Sequence, residues 1–375
     1  MKPVISVSRI IVGVLFIFSG LIKANDPLGL SYKMQEFFEI WGWNSLNDST
    51  LILSVLMIAF EIIAGVAVLL GWLMRLFSWL LLLLTIFFTF LTGYALFSGK
   101  VRECGCFGDC IPLTAQQSFI KDLVLLILIL LIFTNRNSIK NYVSAANALT
   151  ILVISTIFSF AFQWYVLKHL PVVDCLPYKI GRNIPEQMKI PAGAIQDSTV
   201  ITFVYQKQGK QVEFTADKFP KDFNDSLYVF VKRYDKLIRQ GNAVVAIKDF
   251  ALSTINGTDT TQSILNAPGY SVLIFTKGIN EEHPSWSENF NNIYTNIISK
   301  KIPLYFITND FNNISGWMEK AAINNVTILK CDFVAIKTAA RADPTLYLLH
   351  QGNIVNKWSH ADFDKAYNYI KPIKQ

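Results

Sequence analysis

Residues Leu51–Trp72 read LILSVLMIAFEIIAGVAVLLGW, and Glu61 is the single charge among them. A run of this kind matches the roughly 20 apolar residues that an α-helix needs to cross a hydrocarbon core. Four more stretches meet the same criterion: Val4–Ile22, Phe77–Phe97, Phe119–Thr134 and Ala145–Leu167. Of the 375 residues, 52% are hydrophobic and 16% charged, and the apolar ones crowd into the first 167 positions. That asymmetry predicts a membrane α-helical bundle of five transmembrane helices followed by a soluble domain. Val4–Ile22 lacks a small-residue cleavage motif and is followed by further spans, so it reads as a retained helix. Met74 and Arg75 mark a tight hairpin between the second and third spans, and Asn135–Tyr142 is a second short turn. The other two connections, Lys23–Thr50 and Ser98–Ser118, are longer.

Basic residues set the expected orientation. Lys2, Arg9, Arg75, Arg136 and Lys140 gather at one set of helix ends without acidic neighbours, as cytoplasmic ends do. The opposite loops mix lysines and arginines with Asp26, Glu36, Glu39, Asp48, Glu103 and Asp109. A bacterial inner-membrane protein is expected, its amino terminus cytoplasmic and its C-terminal domain periplasmic, on the side where disulfides persist. The lipid bilayer is the first partner. The net charge of +7 forms no basic stripe with interleaved aromatics, so nucleic acid is not expected.

An ionised Glu61 facing lipid would cost several kcal/mol, so it is expected to face the bundle. Arg9 is the nearest obvious partner, its long side chain either reaching Glu61 or snorkelling to the surface. The pair is either a structural ion pair or part of a proton or quinone site. Lys121 and Asp122 open the fourth span directly after a cysteine-rich loop, at a depth where they would touch it. Alternatively, Asp122 is there because an acid is favoured near a positive helix end.

Three of the five cysteines fall in Cys104-Gly105-Cys106-Phe107-Gly108-Asp109-Cys110. Two glycines let this backbone turn tightly. Arg102 and Lys121 would favour a thiolate here, while Glu103 and Asp109 oppose it. Three chemistries compete: thiol exchange at Cys104 and Cys106, structural disulfides, and metal binding by the C-x-C-x3-C thiols, which lack a histidine in the loop to complete a site. Cys175 lies just beyond the fifth span, so a Cys110–Cys175 disulfide would tie the soluble segment to the bundle.

These residues carry a resemblance. Phe18-Ser19-Gly20-Leu21-Ile22-Lys23, Asp26-Pro27-Leu28-Gly29, Glu61 with Gly65 and Gly71, Cys104 to Asp109, and Ser118 to Asp122 are similar to the DoxX and MauE group of redox-associated membrane proteins, over about residues 1–135. The resemblance implies a four-helix membrane fold, with roles such as maturation of disulfide-rich methylamine dehydrogenase (MauE) or quinone-linked sulfur oxidation (DoxX relatives). Cys110 stands outside the common pattern, which suits a local structural role.

After Pro171 the composition changes, and Cys175 to Asp197 reads as a proline-containing linker. Val200–Tyr205 and Gln211–Thr215 predict strands, Lys218–Arg239 an amphipathic helix, and Ala243–Ile247 with Ala251–Ile255 two strands before the turn Asn256-Gly257. From Tyr270 the elements alternate βαβαβαββα, predicting a sheet with helices on both faces. Pro344-Thr345-Leu346-Tyr347-Leu348-Leu349-His350-Gln351-Gly352 resembles the thioredoxin superfamily, in which a cis-proline precedes an antiparallel hairpin. Where such proteins place C-x-x-C, this chain has Lys277 to Trp286 without a cysteine, so thioredoxin exchange is excluded there. Cys331 reads as a buried thiol and His283 as an exposed loop residue.

The expected organisation is a DoxX/MauE-like bundle over 1–142, a fifth transmembrane helix over 143–170, a linker and α+β elaboration over 171–266, and a thioredoxin-like domain over 267–375. Thiol–disulfide exchange with an envelope partner through Cys104 and Cys106 leads the functional expectations, supported by Lys121, Asp122, Asp109, Glu61 and Arg9, with the thioredoxin-like domain as a docking module. A scaffold subunit of an inner-membrane complex with stapling disulfides is the alternative, and quinone-linked electron transfer a third. Whether the chain is an enzyme stays open at this point. No phosphate loop, histidine cluster or nucleotide fingerprint is visible, so no metal or common cofactor is expected; quinone is the one cofactor left in view.

Overall fold

The computed structural model describes residues 2–374 apart from 100, 102–104, 106, 196–197, 225, 240, 242, 244 and 280–283. The apolar runs form α1 (Lys2–Ala24), α3 (Thr50–Leu70), α4 (Met74–Ser98), α5 (Ala115–Thr134) and α6 (Ala145–Lys168), with α2 (Pro27–Ile40) and a 3₁₀ turn (Asn44–Ser49) between α1 and α3. Among the described residues, five helices are long and apolar enough to cross a membrane. The long first connection therefore contains a helix of its own, opened by Asp26, which accepts from Gly29 N, and by Pro27 in the first turn. Gly71, at φ 74°, closes α3 and gives the tight hairpin into α4. A reciprocal Thr114–Gln117 capping box starts α5, and Ser144 caps α6.

The tightest seam is between α1 and α3. A Cβ on Gly65 would stand 2.9 Å from Gly13 O, and one on Gly13 would stand 3.0 Å from Gly65 O. Small residues are what allow two backbones this close in a membrane, where packing rather than water expulsion drives helix association. Around the seam Val12, Phe16, Val68, Leu81, Leu125 and Ile129 are buried. Leu83, Phe90, Ile127, Ile154 and Ile157 are exposed, the surface a helix turns toward acyl chains.

Beyond α6 the chain forms α7 (Ile184–Gln187) and an antiparallel sheet of β1 (Ser198–Lys207), β2 (Lys210–Thr215) and β3 (Tyr228–Arg239) in the order β2-β1-β3. The segment from Lys218 to Arg239 is thus a turn region and a strand, not the predicted helix. Tyr228-Val229-Phe230-Val231 is aromatic and β-branched, and it pairs along β1 with Tyr205 opposite Phe230. Strands at Ala243–Ile247 and Ala251–Ile255 do not form among the described residues. Ser253 instead makes isolated bridges to Asp259 and Lys330, and Gly257 N closes a turn on Thr254 O.

After α8 (Thr261–Leu265) come β4 (Tyr270–Phe275), α9 (Ser287–Ser299), β5 (Leu304–Thr308), α10 (Phe311–Lys320), β6 (Thr327–Lys330), α11 (Phe333–Ala339), β7 (Thr345–His350), β8 (Asn353–Ser359) and α12 (Phe363–Ile370). The sheet order is β6-β5-β4-β7-β8, with β4, β5 and β6 parallel and β7 and β8 antiparallel to their neighbours. Both faces are covered, one by Phe290, Ile293, Trp317 and Phe363, the other by Tyr178, Phe250, Ile336 and Ala339. The strands accordingly carry near-continuous apolar runs, as two-sided burial requires. The Asp343–Pro344 peptide at the start of β7 is cis.

Candidate functional site

The two ends of the bundle differ in chemistry. At one end Arg9 lies under Tyr142 and donates to Val68 O (3.1 and 3.0 Å) and Leu69 O (3.2 Å), the last carbonyls of α3. Arg9 is therefore not the partner of Glu61, contrary to the sequence expectation. The reason is register: antiparallel packing of α1 on α3 sets Arg9 beside Gly71 and sets Gly20 beside Glu61 and Ile62. From Arg9 to the level of Gly20 is about three helical turns, beyond any side chain's reach.

Glu61 faces the bundle and is 1% exposed; its partner is Lys23, whose Nζ donates to Oε1 at 2.6 Å and Oε2 at 2.8 Å. Ser19, one turn before Lys23, donates to Oε2 at 3.3 Å. A second buried carboxylate, Asp122, accepts from Thr92 Oγ1 at 3.0 Å and pairs with Lys121 at 2.6 Å. It sits in the interior of α5 rather than in its first turn, so helix-end electrostatics do not explain it. Both ion pairs line one cavity, together with Leu15, Phe16, Thr85 and Phe107. The hydroxyl of Thr85 is buried there without a hydrogen-bond partner among the described residues. The free space is about 30 Å³, room for about one water molecule. Phe107, from the cysteine loop, closes over this cavity with the Lys121 ammonium 5.2 Å from its ring centre.

Cys104 and Cys106, the expected exchange pair, lie outside the described residues, as does His283. Their neighbours are placed. Gly105 takes φ +66°, and a Cβ on it would stand 3.1 Å from the Lys33 side chain of α2. Cys110 forms a disulfide with Cys175, Cα to Cα 4.8 Å, so the loop and the first residues of the C-terminal half are covalently joined. Cys331 is a buried free thiol whose ionisation burial pushes up to about 11, which leaves it inert near neutrality. Among the described residues no cluster of His, Cys, Asp and Glu is suited to a metal ion.

The C-terminal domain is seated on the same end of the bundle through a residue to which sequence reasoning assigned no role. Arg341 donates from Nε to Asp26 Oδ2 (2.8 Å), from Nη2 to Asp109 Oδ2 (2.9 Å) and from Nη1 to Lys337 O (2.7 Å). Burial works to lower the proton affinity of this guanidinium, but Asp26 and Asp109 more than reverse that, so it stays charged. Tyr32 of α2 lies under Arg341 and Lys337 at 5.3 and 5.0 Å, and Lys337 donates to Gln35 at 2.8 Å. Asn25 and the backbone of Val173 exchange two hydrogen bonds at 2.8 and 2.9 Å. Asp343 accepts from Lys277 N at 3.2 Å, so the helix-start position that lacks cysteines and the Pro344 turn lie together. No local motif marks Arg341; its partners are 315 and 232 positions away in the chain.

Comparison with known proteins places these parts. Residues 199–240, which hold the three-stranded sheet, match a family described as a domain of unknown function, DUF8463. Protein TlpB of Flavobacterium psychrophilum is 28% identical over 166 residues, 41% of this chain and 43% of TlpB, so the chain spans less than half of that protein's length. No solved structure matches. Residues 1–135, comprising the first four spans, the buried ion pairs and the cysteine loop, match the family described as Methylamine utilisation protein MauE, and this part of the membrane protein is MauE-like.

Proposed function

We propose that the chain is a redox-associated protein of the bacterial inner membrane that exchanges disulfides with an envelope protein through Cys104 and Cys106. In this reading the amino terminus is cytoplasmic, and the loop and the C-terminal domain are periplasmic. The thioredoxin-like domain serves as a docking module and contributes no thiols. The observation that carries the reading is the Cys110–Cys175 disulfide, which binds the cysteine-rich heptapeptide to the base of the C-terminal half. A disulfide persists on the oxidising side of a membrane, which supports assigning both to that side. The similarity of residues 1–135 to MauE supports the redox assignment. Replacing Cys104 and Cys106 together by serine is expected to change the thiol state of at least one envelope protein in proteome-wide thiol trapping. An unchanged profile sinks the exchange reading and leaves the scaffold reading, in which the same disulfide is a staple.

One further observation favours a quinone as electron acceptor. A slot between α2, α3 and α4 is walled by Met34, Phe37, Phe38, Trp41, Phe87 and Phe88, with Lys23 and Gly105 also on its lining. The lining has the chemistry a quinone ring asks for, apolar aromatic walls with an ammonium beside them, and its free space of about 60 Å³ would have to widen to admit the ring; an ammonium has three N–H groups, and Lys23 commits two contacts to Glu61. A bound quinone supplies the two-electron, two-proton acceptor that dithiol oxidation needs. Purified protein without quinone-dependent thiol oxidation removes this reading.

A further inference from the structure

The cavity between the two buried ion pairs leaves polar groups in want of partners. Thr85 of α4 is 2% exposed, and its hydroxyl, able both to donate and to accept, is unpartnered there among the described residues. Lys23 spends its contacts on the two oxygens of Glu61, and an ammonium has a further N–H to give. Asp122 accepts from Thr92 and Lys121, which leaves capacity on a carboxylate of about four lone-pair sites. A buried hydroxyl without a partner is costly, so the site favours whatever supplies one. Space of about 30 Å³ bounded by several polar groups is what a buried water requires.

The four charges stand in series between solvent and the slot walled by α2, α3 and α4. The Lys121 side chain is 22% exposed, whereas those of Asp122, Glu61 and Lys23 are 3%, 1% and 4% exposed. Solvent therefore meets this set at Lys121. At the other end Lys23 and Phe88 line both the cavity and the slot, and Thr92, which donates to Asp122, lines the slot as well. Within each pair the groups are already in hydrogen-bond contact, at 2.6 Å from Lys121 to Asp122 and 2.6 Å from Lys23 to Glu61. Between Glu61 and Asp122 lies the cavity, with Thr85 on its wall. Among the described residues, the charged groups facing it are these four, from α1, α3 and α5; α4 adds the Thr85 hydroxyl and α1 the Ser19 hydroxyl.

We propose that this cavity is a water site whose water, held by Thr85, joins Glu61 to Asp122 and makes the two ion pairs one proton path from solvent at Lys121 to the slot at Lys23. Each transfer breaks one N–H or O–H bond and forms another. Lys121 passes a proton to Asp122, and Asp122 passes one through the water to Glu61. Glu61 passes one to Lys23 as Lys23 releases its own into the slot, and Lys121 is reprotonated from solvent. The net movement is one proton from water to slot, with every group returned to its starting state. The path deepens the quinone reading of the slot, on which only its purpose rests: a ring reduced there takes up two protons, and Lys23 delivers them one at a time.

The test follows proton exchange and needs no quinone. Full-length protein with isotope-labelled lysine is reconstituted in lipid bilayers, and solid-state NMR measures how fast water protons reach Lys23 Nζ, a signal assigned by its loss in Lys23→Arg. Thr85→Val keeps the shape and removes the hydroxyl; it is expected to slow exchange at Lys23 by about tenfold or more, the factor that one buried hydrogen bond commands. Thr85→Ser is expected to restore most of the rate. Asp122→Asn, whose amide cannot take up and pass on a proton, is expected to slow exchange as Thr85→Val does. A Thr85 that only fills space predicts wild-type exchange in Thr85→Val, and that result overturns the proposal, as does exchange slowed equally in Thr85→Val and Thr85→Ser. Should Thr85→Val fail to fold, Asp122→Asn decides alone, and wild-type exchange there overturns it. Quinone binding is read separately, from quenching by decylubiquinone of the emission that Trp41→Phe removes. A working path beside a slot that binds no quinone would sustain this inference while defeating the quinone reading, and the reverse pair of results would defeat the path alone.

Discussion

Lys23 and Glu61 pair deep in an apolar bundle, and the two residues are not equivalent. Lys23 stands one residue before the end of α1, where its stem lets an unpaired ammonium snorkel toward water; Glu61, in the interior of α3, has no such exit. Lys23→Met is therefore expected to cost about 3–5 kcal/mol, the range for stranding one partner of a buried pair. Glu61→Leu should cost distinctly less. Thermal unfolding of the detergent-solubilised variants measures the difference, and equal losses would contradict the argument. Glu61's burial was legible from one charge in an apolar run, but its partner was not, because inter-helix register is set by the Gly13–Gly65 approach and no local pattern encodes it. In the soluble part, His360 carries a pH dependence. Burial lowers its proton affinity below the ordinary 6.5, with Asp343 opposing, and its Nδ1 is buried without a partner among the described residues. Below pH 6.5 the unfolded chain binds more protons at this site than the folded one, so stability falls as pH falls. His360→Gln is expected to flatten that part of the stability profile below about pH 6.5 in denaturation series; an unchanged slope would count against it.

At the scale of elements, the five membrane helices were readable because length and hydropathy suffice to identify a span. The seam between α1 and α3 was not, although its glycines stand in the sequence. Gly65→Leu is expected to disrupt this seam, since even a Cβ there would stand 2.8 Å from Ile17 Cγ1 and 2.9 Å from Gly13 O. The backbone contact cannot be relieved by a rotamer change, so a loss of about 1–3 kcal/mol or more and lowered membrane yield are predicted. A Gly65→Leu protein with wild-type thermal stability would show that the helices tolerate separation. The βαβαβαββα order was legible because both-sided burial leaves continuous apolar strands. β3 was misread as a helix because Lys218–Arg239 alternates imperfectly, and only pairing with β1 decides its conformation. The α2 helix escaped notice inside Lys23–Thr50, read only as a longer connection of mixed charge, yet its Tyr32, Lys33 and Gln35 meet both the cysteine loop and the C-terminal domain.

For the whole molecule, the cysteine loop is the point where three parts meet. The bundle supplies two buried ion pairs beneath Phe107, the disulfide to Cys175 supplies the covalent tie, and Arg341 supplies the charge from above. Cys104 and Cys106 were legible as reactive candidates from their clustering. The Arg341 clamp on Asp26 and Asp109 was not, because its three residues are brought together only by the tertiary fold. The account rests on Cys104 and Cys106 being working thiols. Its most direct test is trapping in native membranes: single Cys104→Ser and Cys106→Ser variants, acid-quenched and alkylated, are run on non-reducing gels. At least one variant is predicted to accumulate a reductant-sensitive adduct with an envelope protein, absent from the double variant. The absence of any adduct in either single variant, with Cys104 and Cys106 stably oxidised to each other in the wild type and resistant to mild reductant, would contradict the account.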